Sequence, residues 1–112
     1  VMLLSARDLA RFGLLYLNDG RWAGEQVIPS SWVRESTNRW SDASFGLGYG
    51  YMWWIRQKPN HSAYTAIGFG GQYIYVIPDL DIVTVTTTLG SREDTLLIPA
   101  IMDNYVVPAV TK

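Results

Sequence analysis

"GFGGQYIYVIPDLDIVTV", Gly68 to Val85, places three glycines within four residues directly against one of the stiffest and most apolar runs of the chain. The run from Gln72 to Ile77 is dense in tyrosine, isoleucine and valine, the composition of a strand. Pro78-Asp79-Leu80-Asp81 then turns the chain. A second strand follows from Ile82 to Leu89, with Ile82, Val83 and Val85 set among threonines. Glycines inside a strand pattern mark a bulge or a close approach to the backbone. The approaching group is either a packed neighbour or a substrate, and the local pattern leaves both open.

Working outward, Tyr49 to Arg56 reads as another strand, with Tyr49, Tyr51, Trp53 and Ile55 on one face and Met52 and Trp54 on the other. Lys58-Pro59-Asn60-His61 forms a hairpin tip, and Ser62 to Ile67 leads back as a strand into the glycines. Upstream, Ser5 caps a helix with acidic Asp8 three positions on; Leu9, Phe12 and Tyr16 give it an apolar stripe. That helix ends at Asn18-Asp19-Gly20. Trp22 to Gln26 reads as a turn, Ser30 or Ser31 caps a short helix to about Thr37, and Asn38 to Gly48 reads as loop. A closing helix runs from Glu93 to about Val107. The predicted class is α+β: an antiparallel meander of about four strands with helices packed on it, in a single domain over residues 1–112.

Composition narrows the function. The chain has 112 residues, 48% of them apolar, which suits one modest core. Its net charge of −1, without a Lys/Arg cluster, argues against a nucleic-acid partner. There are no cysteines, so disulfides, thiolate metal sites and Cys nucleophiles drop out. No apolar run approaches the ~18–20 residues of a membrane span. Five Trp and seven Tyr are many for this length and call for a cleft or a large partner surface. The chain opens on Val1 and feeds at once into a helix pattern, as expected of a cut through a larger protein.

Three ordered segments carry a resemblance. "SARDLARFGLLYLNDGRWAGEQVIPSSWVRES", "GLGYGYMWW" and "AIGFGGQYIYVIPDLDIVTVTT" resemble the C-terminal part of serine β-lactamase-like hydrolases, the superfamily of class C β-lactamases, penicillin-binding proteins and related esterases and amide hydrolases. The resemblance implies a Ser-x-x-Lys nucleophile, a Tyr-x-Asn or Tyr-x-Ser second motif, and a third motif of Lys-Thr-Gly or His-x-Gly type on a sheet edge. It further implies an acyl-enzyme and an oxyanion donor on the third-motif strand.

Ser-x-x-Lys is absent: Ile55 and Ala109 stand three before the two lysines, Lys58 and Lys112. Tyr16-Leu17-Asn18 spells Tyr-x-Asn, but Tyr16 belongs to the helix stripe and reads as core. The third motif maps to Ala66-Ile67-Gly68, with Ala66 where Lys or His would stand. Recognition of a β-lactam carboxylate is therefore in doubt, and an ester or amide hydrolase is expected. On this reading Gly68, Gly70 and Gly71 admit substrate to the strand backbone, the Phe69 N–H is the oxyanion donor, Gln72 offers an amide, and Trp54 lines the wall. The chain alone is expected to be inactive. The expected partners are a small ester or amide substrate in the intact protein and the N-terminal portion of the same domain, with self-association through an edge strand as a further possibility; no cofactor is implied. A periplasmic or secreted bacterial setting is preferred to a cytoplasmic one. The rival expectation is a stand-alone binding or assembly module using the aromatic strand and the glycine segment.

Of the remaining residues, His61 reads as a solvated loop residue, and Asp79 and Asp81 as turn formers. One of Trp53 and Trp54 has to enter the core, because neighbours in a strand alternate faces.

Overall fold

A computed structural model describes residues 2–111. The first helix, α1 (Ala6–Leu17), starts on a reciprocal capping box. The Ser5 hydroxyl accepts from the Asp8 N–H, and the Asp8 carboxylate accepts from the Ser5 N–H. Gly13 sits where α1 crosses the sheet; a Cβ there would lie 2.7 Å from Val83 Cγ1 and 2.9 Å from Ile74 Cγ2, so glycine sets how closely the helix docks.

The segment read as a turn is a small hairpin, β1 (Arg21–Trp22) with β2 (Glu25–Gln26). Ala23 and Gly24 both take positive φ at its tip, which suits the right-handed twist of the strands. The second helix, α2 (Ser30–Ser36), has Pro29 rather than a serine at its N-cap, with no side-chain capping bond.

The main sheet corrects the expected four strands to six. It runs in sequence order through β3 (Ser41–Asp42), β4 (Gly48–Tyr49), β5 (Trp54–Gln57), β6 (Ser62–Gly68), β7 (Gln72–Ile77) and β8 (Ile82–Thr86). Every neighbour is antiparallel, so the meander and the α+β class hold. The extra strands come from two places. Ser41–Asp42 lies inside the stretch read as loop. The strand expected over Tyr49–Arg56 is broken at Gly50–Trp53, because the Tyr51 N–H donates to the Ser36 carbonyl at 2.8 Å and Gly50 presses on the end of α2 too closely for a side chain. Met52 turns through φ 68°, and the chain re-enters the sheet at Trp54. The strand expected to reach Leu89 ends at Thr86.

Both faces of β7 are buried. Ile74 and Val76 join Tyr16, Val33, Trp53, Ile55 and Tyr64 in a core beneath α1 and α2. Tyr73, Tyr75 and Ile77 join Ala63, Ile98 and Met102 on the opposite face. That second face is covered by the C-terminal helix, built from α3 (Asp94–Ile101), a π-turn over Met102–Val106 and α4 (Val107–Val110). It is therefore not the single α-helix expected. The Val107 N–H reaches back five residues to the Met102 carbonyl, the wider spacing of a π-turn. A half-buried Lys58–Asp103 pair at 2.9 Å ties this helix to the β5–β6 hairpin. Among the described residues, no helix is long and apolar enough to cross a membrane.

Candidate active site

The Ala66-Ile67-Gly68 segment closes β6. Antiparallel pairing of β5 with β6 runs from Gln57↔Ser62 to Trp54↔Thr65 and stops there. On the other side, β6 pairs with β7 to its end, at Gly68↔Gln72. Ala66, Ile67 and Gly68 are thus held by β7 alone, and their opposite edge has no strand beside it among the described residues. The cause is local: the Gly50–Trp53 turn takes the chain away from β6 and sends Trp53 into the core. A strand edge left open in this way offers backbone N–H and C=O groups to an extended ligand.

On the α1 face of the sheet lies a cavity of about 460 Å³, lined in part by Leu4, Leu9, Ala66, Gly68, Ile74 and Thr87, so it spans β6, β7 and the end of β8. Phe69, Gly70 and Gly71 form the loop joining β6 to β7. The Phe69 side chain is 76% exposed at the tip. Among the described residues, no hydrogen bond takes the Phe69 N–H. It stands at the end of the open edge as an unused donor.

Gly70 and Gly71 are buried, at φ +80° and +91°, a region that only glycine enters at little cost. A Cβ on Gly70 would fall 2.5 Å from the Gly90 Cα, and one on Gly71 would fall 3.0 Å from the Asp94 Cβ. Within this chain, the group that approaches these two glycines is the 88–94 segment. Gly68 differs: the nearest atom to a Cβ there is Gln72 Cβ, at 3.0 Å across the hairpin.

The predicted site residues divide between two cavities. Gly68 and Gln72 line the one on the α1 face. Trp54 lines another, of about 400 Å³ on the opposite face, with Phe45, Ile67, Tyr73, Leu96 and Pro99. Arg56 also lines it, and its buried Nε has no hydrogen-bond partner among the described residues. Tyr73 donates to the Thr95 carbonyl at 2.8 Å, and burial holds its phenol above the usual tyrosine range against the opposing pull of Arg56. The adjacent Trp53 and Trp54 do take opposite faces, and Trp53 is the core member.

Tyr16 is buried, its hydroxyl 3.2 Å from Ser36 Oγ, well inside the core. His61 is half-buried beside the Lys58–Asp103 pair. No group of three His, Cys, Asp or Glu side chains could hold a metal ion among the described residues. Reading the sequence missed three threonines. Thr86, Thr88 and Thr95 hydrogen-bond the glycine loop from outside; the first two belong to a threonine run over 86–88 that starts at the end of β8, and Thr95 in α3 has no such signal.

Comparisons with known proteins bear on the family and the fold. An uncharacterized protein of Alkalihalophilus pseudofirmus is 23% identical over 107 residues, covering 82% of this chain and 32% of its own. A solved structure described as "Putative 6-aminohexanoate-dimer hydrolase from Bacillus anthracis" superposes with a TM-score of 0.61 at 26% identity, covering 96% of this chain and 30% of its own. The chain thus spans about a third of the length of each. The family model for Beta-lactamase matches residues 2–101, nearly the whole sequence. With the meander sheet and the ordered segments of the sequence, this match establishes that the chain belongs to the beta-lactamase family.

Proposed function

We propose that this chain is the part of a serine ester or amide hydrolase that forms the third-motif wall of the active site. The observation that carries the reading is the open edge of Ala66–Gly68, a segment that also lines a cavity on the sheet face and ends in the unused Phe69 N–H. Substrate lies along that edge as a short added strand, and Phe69 donates to the carbonyl oxygen.

A serine hydroxyl, from a Ser-x-x-Lys segment outside these 112 residues, attacks the carbonyl carbon. Its proton passes to a neighbouring base, and the negative charge moves to the oxygen facing Phe69. Collapse breaks the bond to the alcohol or amine, which leaves with the proton. Water then attacks the acyl-enzyme in the same way and releases the acid. Ala66 places no cation on the strand, so a substrate carboxylate finds no charged partner there; neutral esters and amides fit better than β-lactams. The Bacillus anthracis structure is described as a "Putative 6-aminohexanoate-dimer hydrolase"; a dimer of an amino acid is joined through an amide, which supports this bond type. Without an attacking group the 112-residue chain does not hydrolyse substrate.

The test is a p-nitrophenyl ester presented to both forms. The full-length protein should release a stoichiometric burst of p-nitrophenol, and the 112-residue chain none. A burst from the short chain, or a full-length protein inert towards esters and amides, overturns the proposal.

A second reading, an assembly module, draws on the outer edge of β8, which has no partner strand among the described residues, and on exposed Phe45, Phe69, Leu89 and Leu96. It predicts a concentration-dependent dimer whose full-length parent lacks hydrolase activity.

A further inference from the structure

We infer that Gln72 and Thr88 are positioning residues that fix the direction of the Phe69 N–H, an inference that rests on the hydrolase reading above. Glycine is the most permissive residue, so a Phe-Gly-Gly loop has little stiffness of its own. An oxyanion donor works only when it is already aimed at the developing charge. The rigidity of the loop therefore has to come from what holds it.

Its anchors lie at the end of β8, on the segment beyond it and in the first turn of α3. Regular pairing of β7 with β8 ends at Tyr73↔Thr86. One residue further, the side-chain amide of Gln72 takes over the role of a backbone. Its Nε2 donates to the Thr88 carbonyl at 2.9 Å and to Thr88 Oγ1 at 3.2 Å, and its Oε1 accepts from the Thr88 N–H at 3.2 Å. The sheet is in effect extended by one rung, made from a side chain. The Thr88 hydroxyl, fixed by this rung and by the Gly90 N–H at 3.1 Å, donates to the Gly70 carbonyl. Thr86 Oγ1 donates to the Gly71 carbonyl at 2.7 Å, and the Gly70 N–H donates to Thr95 Oγ1 at 3.2 Å.

Both carbonyls and one N–H of the two glycines are thus tied from one side. The Phe69 N–H belongs to the Gly68–Phe69 peptide, one peptide before the tied Gly70 N–H, and makes no hydrogen bond among the described residues. Gln72 has its donors and its acceptor committed to Thr88, so it acts on the reaction through the loop rather than by touching substrate.

The test uses the full-length protein with Gln72→Ala, Gln72→Glu, Thr88→Val and Thr88→Ser, assayed for ester turnover and for melting temperature. Gln72→Glu keeps the shape but loses the Nε2 donor, and its carboxylate faces the Thr88 carbonyl. Gln72→Ala, Gln72→Glu and Thr88→Val should lower kcat about tenfold to a hundredfold, with KM changed less than about twofold. Thr88→Ser, which keeps the hydroxyl, should restore most of the loss. If a variant unfolds at the assay temperature, the amide exchange of Gly70, whose N–H is bonded to Thr95, takes its place at lower temperature, and should quicken in Gln72→Glu while β6 and β7 stay protected. An active wild type whose folded Gln72 variants keep full kcat, or lose only melting temperature, overturns the positioning role. A wild type with no hydrolase activity overturns the hydrolase reading and this role with it.

Discussion

The phenol of Tyr16 on α1 meets the hydroxyl of Ser36 at the end of α2, 3.2 Å away and shielded from water. Ser36 is also 3.3 Å from the Val33 carbonyl, and its own carbonyl accepts from Tyr51. One buried serine thus joins both helices to the turn that breaks the aromatic strand. Tyr16 also packs on Trp53 at 4.8 Å and on Phe12 at 5.3 Å between ring centres. Tyr16→Phe should cost about 1 kcal/mol, the net worth of one buried hydrogen bond. Tyr16→Ala should cost ~3–5 kcal/mol through the cavity it leaves. Urea unfolding measures both. Ester turnover of the full-length protein should survive Tyr16→Phe, although Tyr16-Leu17-Asn18 spells a catalytic motif; a loss of a hundredfold or more, about 2.7 kcal/mol, would reassign Tyr16.

Three glycines at similar positive φ have different surroundings. Gly24, at φ +82°, has nothing within 4 Å of the position a Cβ would take, whereas Gly70 and Gly71 face the 90–94 backbone. Gly24→Ala should cost only the left-handed strain of about 1–2 kcal/mol. Gly70→Ala should cost ~1–3 kcal/mol more, because the 88–94 segment has to move away. Equal losses in thermal unfolding would show that the contact with Gly90 contributes nothing.

Alkaline pH should unfold the protein through its tyrosines. Burial raises the phenols of Tyr64, Tyr73 and Tyr75 above the ordinary value of 10.0, with the Asp19 carboxylate adding to the effect at Tyr64. The native state therefore favours the neutral phenol. Its contribution is complete below pH 10.0, the unfolded value, and is lost as pH rises through the raised native values. Tyrosinate absorbance should appear together with the loss of near-UV circular dichroism. Smooth ionisation of every tyrosine in a folded protein would contradict this.

Acid acts at the start of α1. Hydrogen bonds from Ser5 and then Arg11 hold the Asp8 carboxyl below its ordinary value of 3.8. A lowered native value means stability that is present above pH 3.8 and lost as pH falls through the native value. Ser5→Ala removes the cap, should cost about 1 kcal/mol, and should flatten the pH dependence of stability in acid. Denaturant midpoints at neutral and acid pH, in both proteins, measure the difference.

The legible parts of the fold share a cause. Gln72–Ile77 carries enough β-branched and aromatic residues to be a strand in any context, and Ser5 with Asp8 states a helix start within four residues. Local chemistry also required Trp53 and Trp54 to take opposite faces. The break at Gly50–Trp53 was not legible, because a carbonyl on α2 imposes it. The strand at Ser41–Asp42 was hidden as well, since two polar residues have no periodicity to read.

At the candidate site, sequence alone determined the order of the segments, that Ala and not Lys or His stands at position 66, and the absence of Ser-x-x-Lys from these 112 residues. These depend only on which residues stand where. Tertiary structure decided which edge of β6 stays open, that Trp54 and Gln72 serve different cavities, and that Gly70 and Gly71 turn towards Gly90 and Asp94. Sequence separates these partners by many residues. Their meeting is set by sheet register and helix docking, which are properties of the whole packed chain and not of any window along it.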